Sequence, residues 1–288
     1  MKHRMNSIAA VLVSPLILAV GCSVSASFSF LAGRVEEPFS VSAPFEGAGS
    51  LTILWRNGEV SVRVDESATE ITANGTKIVQ ASTDDVAQEM ADQIEITMEV
   101  AESFPTQVFL RFTAPDDLIA LFSADVEVVL PAGIVLSISN DNGNVTVQGN
   151  TESTEIDVNI GIVTVTDQSG DITVDITVGR IDIDSTAATV EATGDTASIS
   201  ITAQPGADGS VVARTANGSV SISVPANTQA NLSLKTTVGA VVVSLEDFTV
   251  NDLPPIGGFV TEVTATLNGG GSQIVGETVI GNVSFGSL

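Results

Sequence analysis

Carboxylates are almost the only side chains in this sequence that can do chemistry. The single histidine is His3 and the single cysteine is Cys22, so the rest of the 288-residue chain has neither imidazole nor thiol. That removes Ser-His and Cys-His nucleophiles and the usual ligands of zinc and iron. Gly269-Gly270-Gly271 is not followed by the Lys-Ser/Thr of a phosphate-binding loop and reads as a tight bend. What remains is 35 Asp and Glu, some of them regularly spaced: Asp157 and Asp175 stand 18 residues apart, and Glu155 and Glu191 stand 36 apart. On an extended β surface two such acids can act as acid and base in polysaccharide cleavage, or they can share a Ca²⁺ ion between neighbouring strands. Asp157, Asp175, Glu155 and Glu191 are therefore the candidate cation-binding residues. No EF-hand loop or Gly-Gly-x-Gly-x-Asp repeat accompanies them, and the region has neither the Trp nor the Tyr of a sugar-cleaving groove. The expectation is no dedicated metal centre, no cofactor and no catalytic residues.

The elements that must hold these acids follow from a repeated unit: a small turn residue, a variable residue, then apolar, polar, apolar. It reads Gly143-Asn144-Val145-Thr146-Val147, Gly161-Ile162-Val163-Thr164-Val165 and Gly179-Arg180-Ile181-Asp182-Ile183, and it recurs behind Ala197, Gly218, Gly239 and Gly281. The steps between lead residues are 18, 18, 18, 21, 21 and 42, the last read as one doubled interval. A fixed period of this length marks stacked coils. Period-2 alternation sends Ile156, Val158 and Ile160, and then Val174, Ile176 and Val178, inward, which leaves the four candidate acids outward. Gly58-Glu59-Val60-Ser61-Val62 has the same register. Asn74-Gly75 centres a hairpin over 71–79, and Thr83 caps a short helix over 84–92. The fold class expected is all-β: a β-solenoid (β-helix-like) of stacked 18 to 21 residue coils with a short N-terminal helix, or alternatively an elongated β-sandwich. The segments are a signal peptide over 1–21, a lipidated tether over 22–38, an N-terminal β module over 39–130 and the repeat over 131–288.

Lys2, His3 and Arg4 precede an apolar run over Ile8–Val20 that is too short for an ordinary membrane span. Ala19-Val20-Gly21-Cys22 resembles a bacterial lipobox, in which the cysteine is acylated, whereas Val24 and Ala26 offer ordinary signal cleavage after Ala26 as the alternative. Acylation of Cys22 implies an exported, membrane-anchored protein, placed at the outer membrane or cell surface, with membrane lipid as its first partner. Beyond the leader, 8 Lys and Arg face 35 Asp and Glu, a net charge of −27. Such a field repels nucleic acid, which is excluded as a partner.

Asn57-Gly58-Glu59-Val60, Leu130-Pro131 leading into Ile138-Ser139-Asn140-Asp141-Asn142-Gly143-Asn144-Val145, the repeated Gly-x-Val-x-Val units, and Leu267-Asn268-Gly269-Gly270-Gly271 before Ile280-Gly281-Asn282-Val283 together resemble the bacterial putative-adhesin domain family of unknown function, over roughly residues 39 to 286. The resemblance implies a solenoid-like envelope protein without established catalytic residues. The role expected is structural or adhesive, adhesin-like, with a glycan or protein ligand. An accessory sensing or envelope-stress subunit, or a carboxylate-dependent polysaccharide hydrolase or lyase, are the alternatives.

Overall fold

Runs of Val, Ile and Thr with period-2 alternation form twenty strands, joined in one sheet, and one helix among the described residues. The computed structural model describes residues 32–45, 49–101, 104–115, 121–149, 152–251 and 260–288. The expectations for the leader and for Cys22 fall on residues outside that set. Residues 31–288 form one compact unit.

The strands are β1 (Gly33–Pro44), β2 (Gly49–Asn57), β3 (Val60–Val64), β4 (Glu70–Ala81), β5 (Glu95–Ala101), β6 (Phe104–Thr113), β7 (Phe122–Leu130), β8 (Ile134–Asn142), β9 (Val145–Gln148) and β10 (Thr154–Gln168). After them come β11 (Ile172–Ser185), β12 (Thr189–Ala203), β13 (Ser210–Asn217), β14 (Val220–Val224), β15 (Ala230–Val238), β16 (Val241–Val243), β17 (Val250–Asn251), β18 (Glu262–Leu267), β19 (Ser272–Ile280) and β20 (Val283–Ser287). Helix α1 (Asp84–Ala91) follows β4.

Hydrogen bonding arranges them in two rows. One runs β6, β2, β8, β10, β11, β12, β13, β19, β15, all parallel, with β5 antiparallel outside β6 and β18 antiparallel outside β15. The other runs β7, β3, β9, β10, β11, β12, β14, β20, β16, again parallel, with β4 and then β1 added antiparallel at the β7 end. The long strands β10, β11 and β12 belong to both rows. Thr154 pairs with Ile172 and Ile172 with Val190, which is the 18-residue step of the sequence.

Within β10 the buried positions are 154, 156 and 158 before Gly161 but 163 and 165 after it, so the alternation changes phase at the lead residue. That phase change corrects two expectations. Ile160 and Val178 lie on the turn itself and are about half exposed, at 50% and 42%, whereas Ile156, Val158, Val174 and Ile176 are buried as expected. The core is one cluster of Val, Ile, Leu and Ala, and its aromatics are gathered towards the ends. Trp55 packs on Phe39 and Phe112, and Phe112 on Phe122, while Phe248 packs on Phe285.

Several local expectations change. Asn74-Gly75 is not a turn, because β4 continues through it between β1 and β7. Glycine is required there by close approach: a Cβ on Gly75 would overlap the Asp125 carbonyl oxygen. β1 begins at Gly33 and pairs with β4 from there. The last rungs are not in chain order. Ser272–Ser287 lies between Ser210–Val224 and Ala230–Val243, so the 42-residue step is an insertion rather than a doubled interval.

The helix forms where its cap was expected, with Thr83 Oγ1 accepting from the Val86 amide at 3.3 Å, and it packs on β1 and β4 at one end of the stack. A polar node ties the three together. Lys77 Nζ lies 2.8 Å from Glu37 and donates to the Ala91 carbonyl at 3.1 Å, and Gln88 also donates to Glu37. Hydrogen bonds from Lys77 and then from Gln88 hold the Glu37 carboxyl below its ordinary pKa, against the opposing effect of burial.

Because the folded-state pKa of Glu37 is depressed, its contribution to stability is present above its unfolded-state pKa and is lost as pH falls through the folded value. Thermal unfolding from pH 7 down to pH 3 should therefore show a smaller acid-side loss in Glu37→Gln than in the wild type. At Gly179, φ is +149° and a Cβ would overlap the Gly161 carbonyl oxygen. Denaturant titration of Gly179→Ala should give a loss of about 3 kcal/mol.

Candidate functional site

The stacked strands turn single residues into columns. Asp157 and Asp175 are register partners on β10 and β11, as their spacing predicts. Glu155 and Glu191 are not neighbours: Thr173 of β11 pairs with both and separates them. All four acids are exposed on the outward face. Asp175 accepts a hydrogen bond from Thr193 Oγ1 at 2.7 Å, and Glu191 lies 3.9 Å from the Arg214 guanidinium. The four carboxylates therefore spread over two columns instead of converging. Among the described residues no group of three His, Cys, Asp or Glu could hold a metal ion, and no helix is long and apolar enough to cross a membrane.

The Asp157 column continues further than linear spacing suggests. Through the register it runs Ser139, Asp157, Asp175, Thr193, Arg214, Glu277, Lys235, across β8, β10, β11, β12, β13, β19 and β15. From Asp175 onward these side chains border an open groove of about 470 Å³, whose opposite wall includes Asp195 and Val279. Thr215 and Thr278 form the floor, buried, and their hydroxyls turn inward to the Ala197 and Gly218 carbonyls at 3.1 and 3.0 Å. Arg214 Nε binds Glu277 at 3.0 Å. Both partners are about half exposed, so the pair contributes at most about 1 kcal/mol to stability and serves mainly to orient the guanidinium. Lys235 forms no ion pair among the described residues.

Arg214, Glu277 and Lys235 were hidden from linear counting for two reasons. The loop over 204–209 lengthens one coil from 18 to 21 residues, which shifts Arg214 off the counted position. Glu277 reaches its neighbours only because its coil is inserted out of order, 63 residues from Arg214 in the chain. The first signal could have been found by discounting the loop. The second has no local signature.

No family model matches the chain, and no curated protein matches it in sequence. Its structural neighbours include proteins named as adhesins. A putative cell adhesion protein from Clostridium sporogenes aligns with TM-score 0.36 and 12% identity over 88% of this chain and 100% of the other. A putative adhesin from Bacteroides fragilis aligns with TM-score 0.33 and 10% identity over 88% and 97%. A putative lipid binding protein from Parabacteroides distasonis aligns with TM-score 0.25 and 10% identity over 87% and 96%. Likeness at this level carries no weight of its own beside the geometry of the face.

Asp157 and Asp175 place like charges opposite one another on adjacent strands, which costs a few tenths of a kcal/mol. Asp157→Asn should therefore stabilise the fold by about 0.5 kcal/mol at low ionic strength, and added salt should erase the gain. Urea unfolding of both proteins at low and high salt measures this directly.

Proposed function

We propose that this chain is an exported protein of the cell envelope, anchored through an acylated Cys22, whose stacked sheet is a β-solenoid that displays a binding face. Its role is structural or adhesive, and its ligand is a glycan or protein that lies along the groove from Asp175 to Lys235. The observation that carries this reading is the assembly of that groove. Five rungs in register bring two of the chain's few cations, Arg214 and Lys235, onto a surface that is otherwise acidic. A regular backbone holds the column rigid, so a ligand binding along it orders little protein. Threonine hydroxyls and charges of both signs offer polar contacts to an extended ligand. Glu155, Asp157, Asp175 and Glu191 draw a diffuse cation atmosphere to the neighbouring surface.

Two measurements test the reading. Metabolic labelling with a fatty acid should mark the wild-type chain and leave Cys22→Ser unmarked, whereas unlabelled protein beginning after Ala26 contradicts the anchor. Binding of the purified protein to an array of envelope glycans, read without product release, should fall at least about tenfold in the double variant Arg214→Ala/Lys235→Ala, since each charged contact contributes roughly 1.5–3 kcal/mol. Unchanged binding in that variant contradicts the proposed face.

A further inference from the structure

The inserted coil Ser272–Ser287 enters the stack by an unusual bridge. Leu267, the last residue of β18, and Ser272, the first of β19, are both register partners of Ala230, on opposite sides of β15. The four residues between them step over the start of β15 and cross two strand spacings, roughly 9.6 Å. All four have positive φ: Asn268 at +50°, Gly269 at +94°, Gly270 at +82° and Gly271 at +157°. The bridge is pegged by Asn268. Its Nδ2 donates to the Ala226 and Thr228 carbonyls at 2.9 and 2.8 Å, and its Oδ1 accepts from the Thr249 amide at 3.0 Å.

We propose that this coil is an exchangeable rung, and that the slot between β13–β14 and β15–β16 is an interaction surface whose occupant is the same coil of a second copy of this chain. Every contact made inside the slot is the same whichever copy supplies the coil. These are the ladders to β13 and β15 and to β14 and β16, the buried side chains of Ile274, Val283 and Phe285, and the Glu277 contact to Arg214. The closed and exchanged forms therefore differ only at the bridge, where closure fixes Asn268 at φ +50° and confines three glycines, and a bridge that crosses to a partner is released from both. Association opposes this relief, so exchange rises with concentration.

The slot also selects its occupant. A Cβ at Gly276 would press on Leu234 and Val283, and one at Gly281 would overlap the Gly218 carbonyl. A foreign strand lacking both glycines does not fit, whereas the chain's own coil does. In an exchanged pair the groove is composite, with Glu277 and Val279 from one copy facing Arg214 and Lys235 of the other. This inference is independent of the anchor and of the ligand.

Ser221 and Ser284 are register partners on β14 and β20, at a spacing of about 4.8 Å that a disulfide spans. Two full-length chains, each carrying Cys22→Ser, are prepared, one with Ser221→Cys and the other with Ser284→Cys, and mixed under mild oxidation. The expected result is a disulfide between chains that increases with protein concentration. It should increase about tenfold or more in the Asn268→Ala background, where the peg is lost. Gly269→Val provides an independent route, because its Cβ points into open space and strains only the bridge, and it should raise exchange in the same direction. A single chain carrying both cysteines reports that the rung forms. Disulfide within that chain but none between chains in any background overturns the proposal, as does an equal yield when Ser40→Cys replaces Ser221→Cys.

Discussion

The structure depends on a close approach at one corner. In the order of the stack the lead residues are Ala124, Gly58, Gly143, Gly161, Gly179, Ala197, Gly218, Gly281 and Gly239, and a Cβ on any of these glycines would overlap the carbonyl oxygen of the rung before it. The corner is where the buried face changes phase, so both rows of strands turn their apolar side chains to one core only if every rung makes this turn at the same height. A side chain at any of the glycine corners would push its rung away from the one before it, whereas Ala197, whose φ is not positive, keeps its pairing with Gly194 leaving room beside its methyl. Glycine is needed here for the space that its missing Cβ leaves to a neighbouring carbonyl.

A second column reinforces the first from inside. Trp55 Nε1 donates to the Ala124 carbonyl at 2.7 Å and Asn140 Nδ2 to Gly58 at 3.1 Å, and Thr215, Thr278 and Thr236 donate to Ala197, Gly218 and Gly281. Each thus satisfies a corner carbonyl of the preceding rung, and a buried carbonyl left unpaired costs about 1–3 kcal/mol. The three central rungs place Val158, Ile176 and Gly194 in this column, none of which can donate from its side chain. The ends of the stack, where coils are inserted out of order, are therefore pinned by polar contacts, while the centre relies on aliphatic packing.

The all-β class, the core positions other than Ile160 and Val178, and the 18-residue register of the central coils were legible because a parallel ladder repeats one local environment, and each rung then needs the same residue types. Small residues stand at Ala192 and Gly194 where the two preceding coils carry Val174 and Ile176, Ile156 and Val158, and the structure gives a reason at Gly194: a Cβ there would collide with the methyl of Ala197, the one lead residue of the central run that is not glycine. The sequence compensates at one position for a change at another, which a position-by-position reading misses. Asn74-Gly75 misled for a related reason, since glycine serves close approach as readily as turning. The groove was half legible. Asp157 and Asp175 follow from spacing, but Arg214 is displaced by a loop and Glu277 arrives by insertion, which no periodicity encodes.

The groove and its charges exist only if the rungs stack in the order described, and the most direct test of that order is a distance. Spin labels at Thr146 and Val242 occupy one outward column, six rung spacings apart through Thr164, Asp182, Ser200, Ser221 and Ser284. Pulsed dipolar spectroscopy should give a narrow distribution near 29 Å between the labelled backbone sites, six steps of about 4.8 Å. A distance below roughly 20 Å, or a broad distribution without a dominant peak, would mean that the coils do not lie one above the next at strand spacing.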